Sequence, residues 1–170
     1  HKFEDQDSEI QWLDVHPKGP CFSFGTSEGS TWIYILSNKP DNFSFYSHQG
    51  PCTCGSFINQ GKNLITVSED ASCKIYDLKN QNVLYSIKGN RYHKNPIISM
   101  AVAQNKPIVA TGSDSGELGL ANYENGNILY LGTHFDNDDI SIALSATQLL
   151  IANVAKFMQL LKALLIFVIF

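Results

Sequence analysis

A histidine, an acid, a hydroxyl and an aromatic residue stand at positions where they could act together. They are His48, Asp70, Thr66 or Ser68, and Tyr76. Histidine, aspartate and a hydroxyl are the groups of a nucleophile and its base, so a hydrolase site is one interpretation. The same groups can instead form a buried hydrogen-bond set. We favour the structural interpretation, because the sequence has no nucleophile elbow and no oxyanion-forming glycine motif.

A second group that could do chemistry is the cysteine pair Cys52-Thr-Cys54, whose side chains point to one side of a strand. Zinc needs about four ligands in tetrahedral reach, and no neighbouring Cys or His pair supplies the others. We therefore expect buried packing here and no metal site. The sequence also lacks a glycine-rich phosphate loop and a metal-binding histidine pair, so we expect no cofactor, no small-molecule ligand and no enzyme activity.

The composition is that of a soluble globular protein, with 44% hydrophobic and 16% charged residues in a chain of 170. The net charge of −4 argues against nucleic-acid binding by the whole chain, but it allows a basic protein partner. Four cysteines follow a polar, acidic start that has no secretory signal. This pattern predicts reduced thiols in the cytoplasm, or also in the nucleus.

Short strands must position these residues. Thr66–Leu78, which reads TVSEDASCKIYDL, alternates apolar with polar residues on either side of an acidic turn, and this predicts a hairpin. Related runs occur at Phe24–Leu36 and Thr111–Asn122, and Tyr34 stands 42 residues before Tyr76. A period of about 40–45 residues with four strands in each unit is typical of WD-repeat propeller blades.

The pattern predicts an all-β partial propeller of about 3.5 four-stranded antiparallel blades over residues 10–154. The predicted blades are about 10–46, 47–88, 89–132 and 133–154. Residues 1–9 form an acidic leading segment with little apolar content. Fewer than four complete blades cannot close the ring that is usual for this repeat, so we expect the chain to be a fragment.

The apolar tail at 155–170 breaks the repeat, and its large side chains recur at helical spacing. One alternative is a helix or strand that covers the open edge of the last sheet. Another is a truncated or out-of-frame end of a longer protein, in which case the tail is not native. A membrane anchor is disfavoured, because the uncharged run Ala163–Phe170 is much shorter than the roughly 20 residues that a membrane helix needs.

Three histidines precede successive inner strands: His48, His93 and His134. In a WD blade such a histidine hydrogen-bonds a turn acid and a strand hydroxyl beneath an aromatic side chain. The first unit has Glu28 and Tyr34 in the acid and aromatic positions. The third unit has Ser115 and Ala121 there, so we expect its set to be incomplete and that blade to be less rigid.

The turns divide between two rims when the strands of each blade are lettered a to d. The b–c turns and the d–a connections emerge on one rim, which we call the acidic rim. It takes Glu28, Glu69, Asp114, Asp136, Asp138 and Asp139, together with the cations Lys88, Arg91 and Lys94. The opposite rim, which we call the lysine rim, takes Lys18, Lys39, Lys62, Lys79 and Lys106, with Asp41 and Glu124.

Turn geometry by itself favours acids, and this explains part of the acidic rim. It explains less well why lysines occupy the opposite loops in each of the three units. The alternative is an acidic recognition face, which would attract a basic segment and lose affinity with added salt.

Several stretches carry a resemblance to a known family. They are SEIQWLDVHPKGP at Ser8–Pro20, GTSEGSTWIYI at Gly25–Ile35, GPCTCG at Gly50–Gly55, EDASCKIYDLK at Glu69–Lys79, and the pattern of Lys88, Gly89, His93 and Pro96. In this order they resemble the angio-associated migratory cell protein family from about Ser8 to Val154. The chain departs from the pattern at Ser47-His48 and Tyr76-Asp77, where the repeat has Gly-His and Trp-Asp.

The resemblance implies a binding scaffold. Fungal members of the family are assembly chaperones that hold the basic N-terminal segment of a large-subunit ribosomal protein on an acidic propeller face, whereas animal members are associated with cell migration. We therefore expect a non-enzymatic protein-binding scaffold with such a basic segment as its partner, and no membrane or nucleic-acid partner. The alternative is a structural or signalling scaffold without an acidic-face ligand.

Overall fold

Strands that are consecutive in the chain pair antiparallel in each described sheet. The structure is a computed structural model that describes residues 8–37, 41–89, 91–103, 106–133, 140–144 and 149–153, with the backbone alone for the last two ranges. Three four-stranded sheets follow one another along the chain and are called blades 1, 2 and 3 here. A two-stranded hairpin comes after them.

Blade 1 contains β1 (Ile10–Val15), β2 (Cys21–Thr26), β3 (Ser30–Ile35) and β4 (Asp41–Tyr46). Blade 2 contains β5 (Cys52–Ile58), β6 (Asn63–Ser68), β7 (Cys73–Asp77) and β8 (Asn82–Ile87), with a 3₁₀ turn at Asn59–Gly61. Blade 3 contains β9 (Ile97–Val102), β10 (Ile108–Ser113), β11 (Glu117–Asn122) and β12 (Ile128–Thr133). The hairpin consists of β13 (Ile140–Leu144) and β14 (Leu149–Asn153).

The predicted fold class, an all-β partial propeller of four-stranded antiparallel blades, is confirmed. Strands β2, β5, β9 and β13 begin and end where the sequence pattern predicts them, at Cys21–Thr26, Cys52–Ile58, Ile97–Val102 and Ile140–Leu144, and the bounds of the other strands differ from the prediction by one or two residues. The predicted tail at 155–170 lies outside the described residues. Among the residues that are described, no helix is long and apolar enough to cross a bilayer.

The turn between the second and third strands has the same conformation in all three blades. Its last residue is in the left-handed region, with φ of +83° at Gly29, +62° at Ala71 and +79° at Gly116. In each turn this residue's amide donates to the carbonyl three positions earlier, at 3.1 to 3.3 Å. Glycine adopts this conformation without strain, whereas alanine does not, so the turn of blade 2 is the strained member of the three.

The core lies between neighbouring blades. The cluster between blades 1 and 2 consists of Ile33, Phe45, Leu64 and Tyr76, with Trp12 and Phe57 packed against it. A larger cluster between blades 2 and 3 includes Val67, Cys73, Ile75, Tyr92, Ile97, Val109 and Ala121. Because each strand alternates its side chains between two faces, a blade in the middle contributes to the clusters on both sides.

Polar and close-packed contacts also join blades 1 and 2. The Asp14 carboxylate of β1 accepts hydrogen bonds from the Ser56 hydroxyl at 3.0 Å and from the Phe57 amide at 2.8 Å. The Trp12 indole lies so close to Gly55 that a β-carbon at that position would overlap it. These contacts hold the two inner strands in register, so the loops at either end of the blades keep fixed positions.

Candidate functional site

The b–c turns and the d–a connections meet at one end of the sheets, as the meander topology requires. The Glu69 amide donates to the Pro51 carbonyl, and the Asp114 amide donates to the Pro96 carbonyl, each at 3.0 Å. In both cases a b–c turn is bound to the connection that leads into the inner strand of its own blade. These turns and connections form the acidic rim.

Acidic side chains occur at the b–c turn of every described blade. Glu28, Glu69 and Asp114 lie one in each turn, and all three are exposed. The other acids assigned to this rim from the sequence, Asp136, Asp138 and Asp139, lie outside the described residues. The described acids therefore form a row with one member in each blade, in which Glu69 and Asp114 are the second residue of their turns and Glu28 is the third.

The opposite end of the blades carries exposed lysines. Lys18, Lys62, Lys79 and Lys106 lie in the a–b and c–d loops, and Lys39 is outside the described residues. Asp41 and Glu124 are exposed at the same end. Asp77 also lies there, but its carboxylate accepts the amides of Asn80 and Lys79 at 3.0 and 2.8 Å, and these bonds lower its pKa. Asp77 thus serves its own turn.

Beneath the acidic rim, His48 joins the d–a connection to blade 2. Its Nε2 lies 2.7 Å from Thr66 Oγ1, and its Nδ1 lies 3.3 Å from Asp70 Oδ1 and 3.0 Å from Ser72 Oγ. The Thr66 hydroxyl in turn contacts the Tyr76 hydroxyl at 3.3 Å. The structure therefore brings together four of the five residues that the sequence grouped.

The fifth, Ser68, does not contact the His48 ring. Its hydroxyl donates to the Gly50 carbonyl and accepts the Asp70 amide, both at 3.0 Å, so it holds the turn itself. Ser72, which the sequence analysis did not include, is also a member of the set, because its hydroxyl donates to Asp70 Oδ1 and contacts the His48 ring. The sequence signal for Ser72 was its position two residues after Asp70. An aspartate in a turn commonly accepts hydrogen bonds from the residue two positions later, and here it accepts from both the amide and the hydroxyl of Ser72.

Burial and hydrogen bonding determine the charges in this set. Burial lowers the pKa of His48, and the Asp70 carboxylate offsets only part of that effect. Burial also raises the pKa of Asp70, but hydrogen bonds from His48, Ser72 and the Gln49 amide outweigh it and hold the pKa well below its usual range. At neutral pH the set therefore consists of a neutral imidazole beside an ionised carboxylate.

Access to His48 bears on the hydrolase interpretation. The exposed fraction of its side chain is 0%, and that of Asp70 is 7%. Both ring nitrogens already have partners, and Tyr76 is fully buried beside Thr66. A substrate carbonyl could not reach the Thr66 hydroxyl in this geometry, so the arrangement favours a structural role.

Blade 3 contains a complete set, contrary to the expectation drawn from Ser115 and Ala121. His93 Nε2 lies 2.8 Å from Thr111 Oγ1, and His93 Nδ1 lies 3.3 Å from Glu117 Oε2. Glu117 supplies the acid, whereas Ser115 contacts only the Ser113 hydroxyl among the hydrogen bonds described for its side chain. The prediction of an incomplete set in this blade was wrong because the acid lies on the strand and not in the turn.

The aromatic hydroxyl of blade 3 comes from Tyr92, the residue before the histidine. Its hydroxyl contacts Thr111 Oγ1 at 2.8 Å, and its ring lies in the apolar cluster that includes Ala121. Gly119 makes room for it, because a β-carbon there would lie within about 3 Å of His93, Thr111 and Tyr92. A large aromatic beside the histidine, opposite a small residue, was the signal that could have found this arrangement.

The cysteines are packed among apolar and hydroxyl groups. The Trp12 indole N–H donates to Cys52 Sγ at 3.2 Å, and burial raises the pKa of the Cys52 thiol to about 11. Burial likewise raises the pKa of Cys73 to about 12 and that of Cys54 above its usual value. Protonated thiols are poor metal ligands. Among the described residues no three His, Cys, Asp or Glu side chains are grouped to hold a metal ion.

Successive four-stranded meanders, two of which bury a histidine, hydroxyl and acid set beneath the b–c turn, define a WD-repeat β-propeller protein. Residues 40–77 match the "WD domain, G-beta repeat" family. This match begins shortly before β4 and ends with β7, so it covers the outer strand of blade 1 and three strands of blade 2.

Within that class the chain is similar to two differently named groups of proteins. It is 29% identical to the human angio-associated migratory cell protein over 121 residues, 71% of this chain and 28% of that protein. It is 33% identical to the ribosome assembly protein SQT1 of Saccharomyces cerevisiae over 144 residues, 74% of this chain and 33% of that protein. The chain thus spans a third or less of the length of these curated relatives.

Solved structures agree with the sequence comparisons. The crystal structure of Saccharomyces cerevisiae Sqt1 superposes with a TM-score of 0.77 and 31% identity, over 86% of this chain and 46% of that one. The Chaetomium thermophilum Sqt1 bound to the N-terminus of the ribosomal protein L10 superposes with a TM-score of 0.76 and 26% identity, over 89% of this chain and 44% of that one. The chain is therefore a WD-repeat protein related to a ribosome assembly protein.

Proposed function

We propose that the chain is part of a non-enzymatic scaffold that holds a basic protein segment against its acidic rim. The observation that carries the proposal is the row of exposed carboxylates at equivalent turns, Glu28, Glu69 and Asp114. A turn acid that binds its own backbone does not need exposure, as Asp70 illustrates with a side chain that is 7% exposed. The three exposed acids remain available to a partner.

The charge of the exposed acids indicates that the partner is basic. The exposed carboxylates of Glu28, Glu69 and Asp114 attract a segment of the opposite sign, and such attraction raises its association rate. Each exposed pair contributes little by itself, about 0–1 kcal/mol, so the segment must engage several turns at once. An extended basic peptide crossing successive blades meets this requirement better than a compact domain would.

The relatives support a ribosomal protein as the source of the segment. One related Sqt1 was crystallised with the N-terminus of the ribosomal protein L10, and a relative from Saccharomyces cerevisiae is named a ribosome assembly protein. We take a ribosomal-protein N-terminal segment as the partner. The scaffold acts as the assembly chaperone of that ribosomal protein in the cytoplasm, and its function involves no membrane, nucleic acid or small molecule.

The test is a titration of the purified chain with a fluorescent lysine-rich peptide at low and high salt. The variant Glu69→Lys/Asp114→Lys should weaken binding about tenfold or more at low salt, and the difference should shrink as salt is added. Asp41→Lys/Glu124→Lys makes the same charge change on the lysine rim and should bind like the wild type. Equal affinities for the two double variants, or binding that ignores salt, would count against the proposal.

A second candidate function is a scaffold that uses apolar strand edges and no acidic-face ligand. Strand β8 favours it, because Val83, Leu84 and Tyr85 are consecutive in an outer strand and each is about two-fifths exposed. An edge strand without charged residues can pair with a strand of another protein. If reversal of the rim acids left all partners bound while Leu84→Lys released them, this second function would replace the first.

A further inference from the structure

A basic ridge interrupts the acidic rim. Lys88, Arg91 and Lys94 are exposed in the connection between β8 and β9, and that connection lies on the same rim as the b–c turns. In chain order the rim therefore presents Glu28 of blade 1, Glu69 of blade 2, the ridge, and Asp114 of blade 3.

The ridge is anchored to blade 3 at its centre. Tyr92 and His93 lie between the exposed cations and are 0% and 2% exposed. The Tyr92 hydroxyl and His93 Nε2 each lie 2.8 Å from Thr111 Oγ1. The Tyr92 amide donates to the Gly89 carbonyl at 2.8 Å, which closes a turn directly before the buried pair.

The same anchor fixes the residue that follows the histidine. The Lys94 amide donates to Glu117 Oε2 at 3.3 Å, and this carboxylate oxygen also contacts His93 Nδ1. The backbone on both sides of Tyr92 and His93 is therefore held, and the ridge cations project from a fixed support. A charged group on a fixed support loses less conformational entropy on binding than one on a free loop.

The ridge cations do not form an ion pair with any described carboxylate. The ion pairs recorded among the described residues of the rim are His48 with Asp70 and His93 with Glu117, and both lie in the buried sets. Glu117 and Asp70 are thus already engaged below the surface. A purely basic segment laid along the rim would bring like charges against the ridge, which is unfavourable.

We propose that the segment bound by the acidic rim carries an acidic side chain between its basic residues, and that this acidic group pairs with Lys88 and Arg91. The inference rests on the proposed function, because it gives the charge pattern of the same segment. The basic residues on either side of the acidic group contact the turns of Glu69 and Asp114. The ridge thereby selects against segments that are basic throughout and fixes the register of the bound segment.

The test uses two fluorescent peptides in which lysines alternate with serines. One has serine at its centre and the other has glutamate there. Each is titrated against the wild-type chain, the ridge variant Lys88→Glu/Arg91→Glu, and the matched control Lys62→Glu/Lys79→Glu on the lysine rim. All four substituted side chains are exposed, so the fold should persist, and circular dichroism checks this.

The expected result is a change of opposite sign for the two peptides. The ridge variant should bind the glutamate peptide about threefold to tenfold more weakly than the wild type, and the all-basic peptide more tightly by a similar factor. The control should change both affinities equally. If the ridge variant binds both peptides more tightly, or changes neither, the ridge does not pair with an acidic group and the inference is overturned.

The same titrations separate this inference from the proposed function. If Glu69→Lys/Asp114→Lys weakens both peptides while the ridge variant behaves like the control, the acidic rim binds basic segments and only the mixed-charge inference fails. If Glu69→Lys/Asp114→Lys leaves both affinities unchanged, the proposed function itself fails.

Discussion

At the scale of single residues, two blades solve one hydrogen-bonding problem with different side chains. Thr66 and Thr111 occupy matching places on β6 and β10, and each contacts a histidine Nε2. The aromatic hydroxyl comes from the following strand in blade 2 and from the preceding connection in blade 3, where Tyr92 provides it. The histidine and the threonine are the constant members of the set, whereas the acid and the aromatic residue come from different positions in the two blades.

Removal of the Thr66 hydroxyl should therefore be costly. Thr66→Val keeps the shape of the side chain but leaves His48 Nε2 without its partner, and Tyr76 loses one of its contacts. An unsatisfied buried polar group costs about 1–3 kcal/mol, so the free energy of unfolding should fall by that amount. Urea denaturation followed by circular dichroism measures it.

Ser115→Ala is the matched control for this substitution. Ser115 occupies the turn position at which the sequence suggested a set member in blade 3, but its described side-chain contact is with Ser113. The change should shift the free energy of unfolding by less than about 0.5 kcal/mol, as is usual for substitutions away from buried networks. Equal losses for the two variants would contradict the assigned roles.

The buried histidines also predict a pH dependence. Burial lowers the pKa of His48 and of His93, so the unfolded chain binds protons more tightly than the folded one. The stability should be complete above the unfolded pKa of about 6.5 and should decline as the pH falls below it. Urea titrations at about pH 7.5 and about pH 5 should give the lower free energy at pH 5.

Asp70 extends the decline to more acidic conditions. Its folded pKa lies well below that of the unfolded chain, so its contribution is present above about pH 4 and is lost as the pH falls further. His48→Gln should be less stable at neutral pH and should show a smaller change between about pH 7.5 and about pH 5. An unchanged slope in this variant would show that His48 does not carry the effect.

Residue identities in the sets were only partly predictable. His48, Asp70 and Tyr76 could be grouped because the acid lies in a turn and the aromatic lies in a strand at repeated spacing. Glu117 and Tyr92 were not grouped with a histidine, because each stands outside the repeated positions, and the small residues Gly119 and Ala121 indicate only the space beside Tyr92. The spacing of residues along the sequence does not show that the aromatic residue comes from a strand in blade 2 and from a connection in blade 3.

At the scale of elements, the blades follow from alternation and turn chemistry. Strands such as β5 and β9 were predictable to the residue, since apolar residues alternate up to a turn signal at each end. Their polar contacts across blades were not predictable. Asp14 reads as an exposed strand residue, yet its carboxylate binds Ser56 and Phe57 of the next blade. Contacts between blades depend on how the sheets are placed, which no local pattern records.

The b–c turns give a prediction of opposite effects at equivalent positions. Ala71 has φ of +62° where glycine stands in the other two blades, so Ala71→Gly should relieve strain and raise the free energy of unfolding by about 0.5–1 kcal/mol. Gly29→Ala should destabilise the chain by more than about 1 kcal/mol, because its β-carbon would also lie 2.6 Å from the Gly50 carbonyl oxygen. Chemical denaturation of both variants tests this, and a loss of stability in Ala71→Gly would contradict it.

At the scale of the whole molecule, the placement of the charged loops could be predicted from the sequence, whereas the placement of the exposed apolar surface could not. The acids of the b–c turns and the lysines of the a–b and c–d loops lie at opposite ends of the blades, and this arrangement was predictable because it needs only the order of strands in each blade. The alternation within β1 did not predict the exposed apolar face of blade 1. Its β1 residues Leu13 and Val15 are 58% and 64% exposed, beside Phe22 and Leu36 in a shallow apolar hollow.

This face should make the 170-residue chain bind a hydrophobic dye. Contiguous exposed apolar surface is uncommon on soluble proteins, whereas single exposed residues are ordinary. Leu13→Thr/Val15→Thr should therefore lower the fluorescence of bound anilinonaphthalene sulfonate, with β propensity preserved. Leu129→Thr, on the outer strand β12, should lower it much less. Equal fluorescence from the wild type and the double variant would contradict the prediction.

The contact between Trp12 and Cys52 gives the molecule an intrinsic optical reporter. The indole N–H meets the sulfur across the boundary between two blades, 40 residues apart in the chain. A thiol at this distance quenches indole emission, so separation of blades 1 and 2 would brighten Trp12 even if each sheet stayed intact. In a Trp32→Phe background, emission intensity would then follow the opening of that boundary, while far-ultraviolet circular dichroism would follow the melting of the strands.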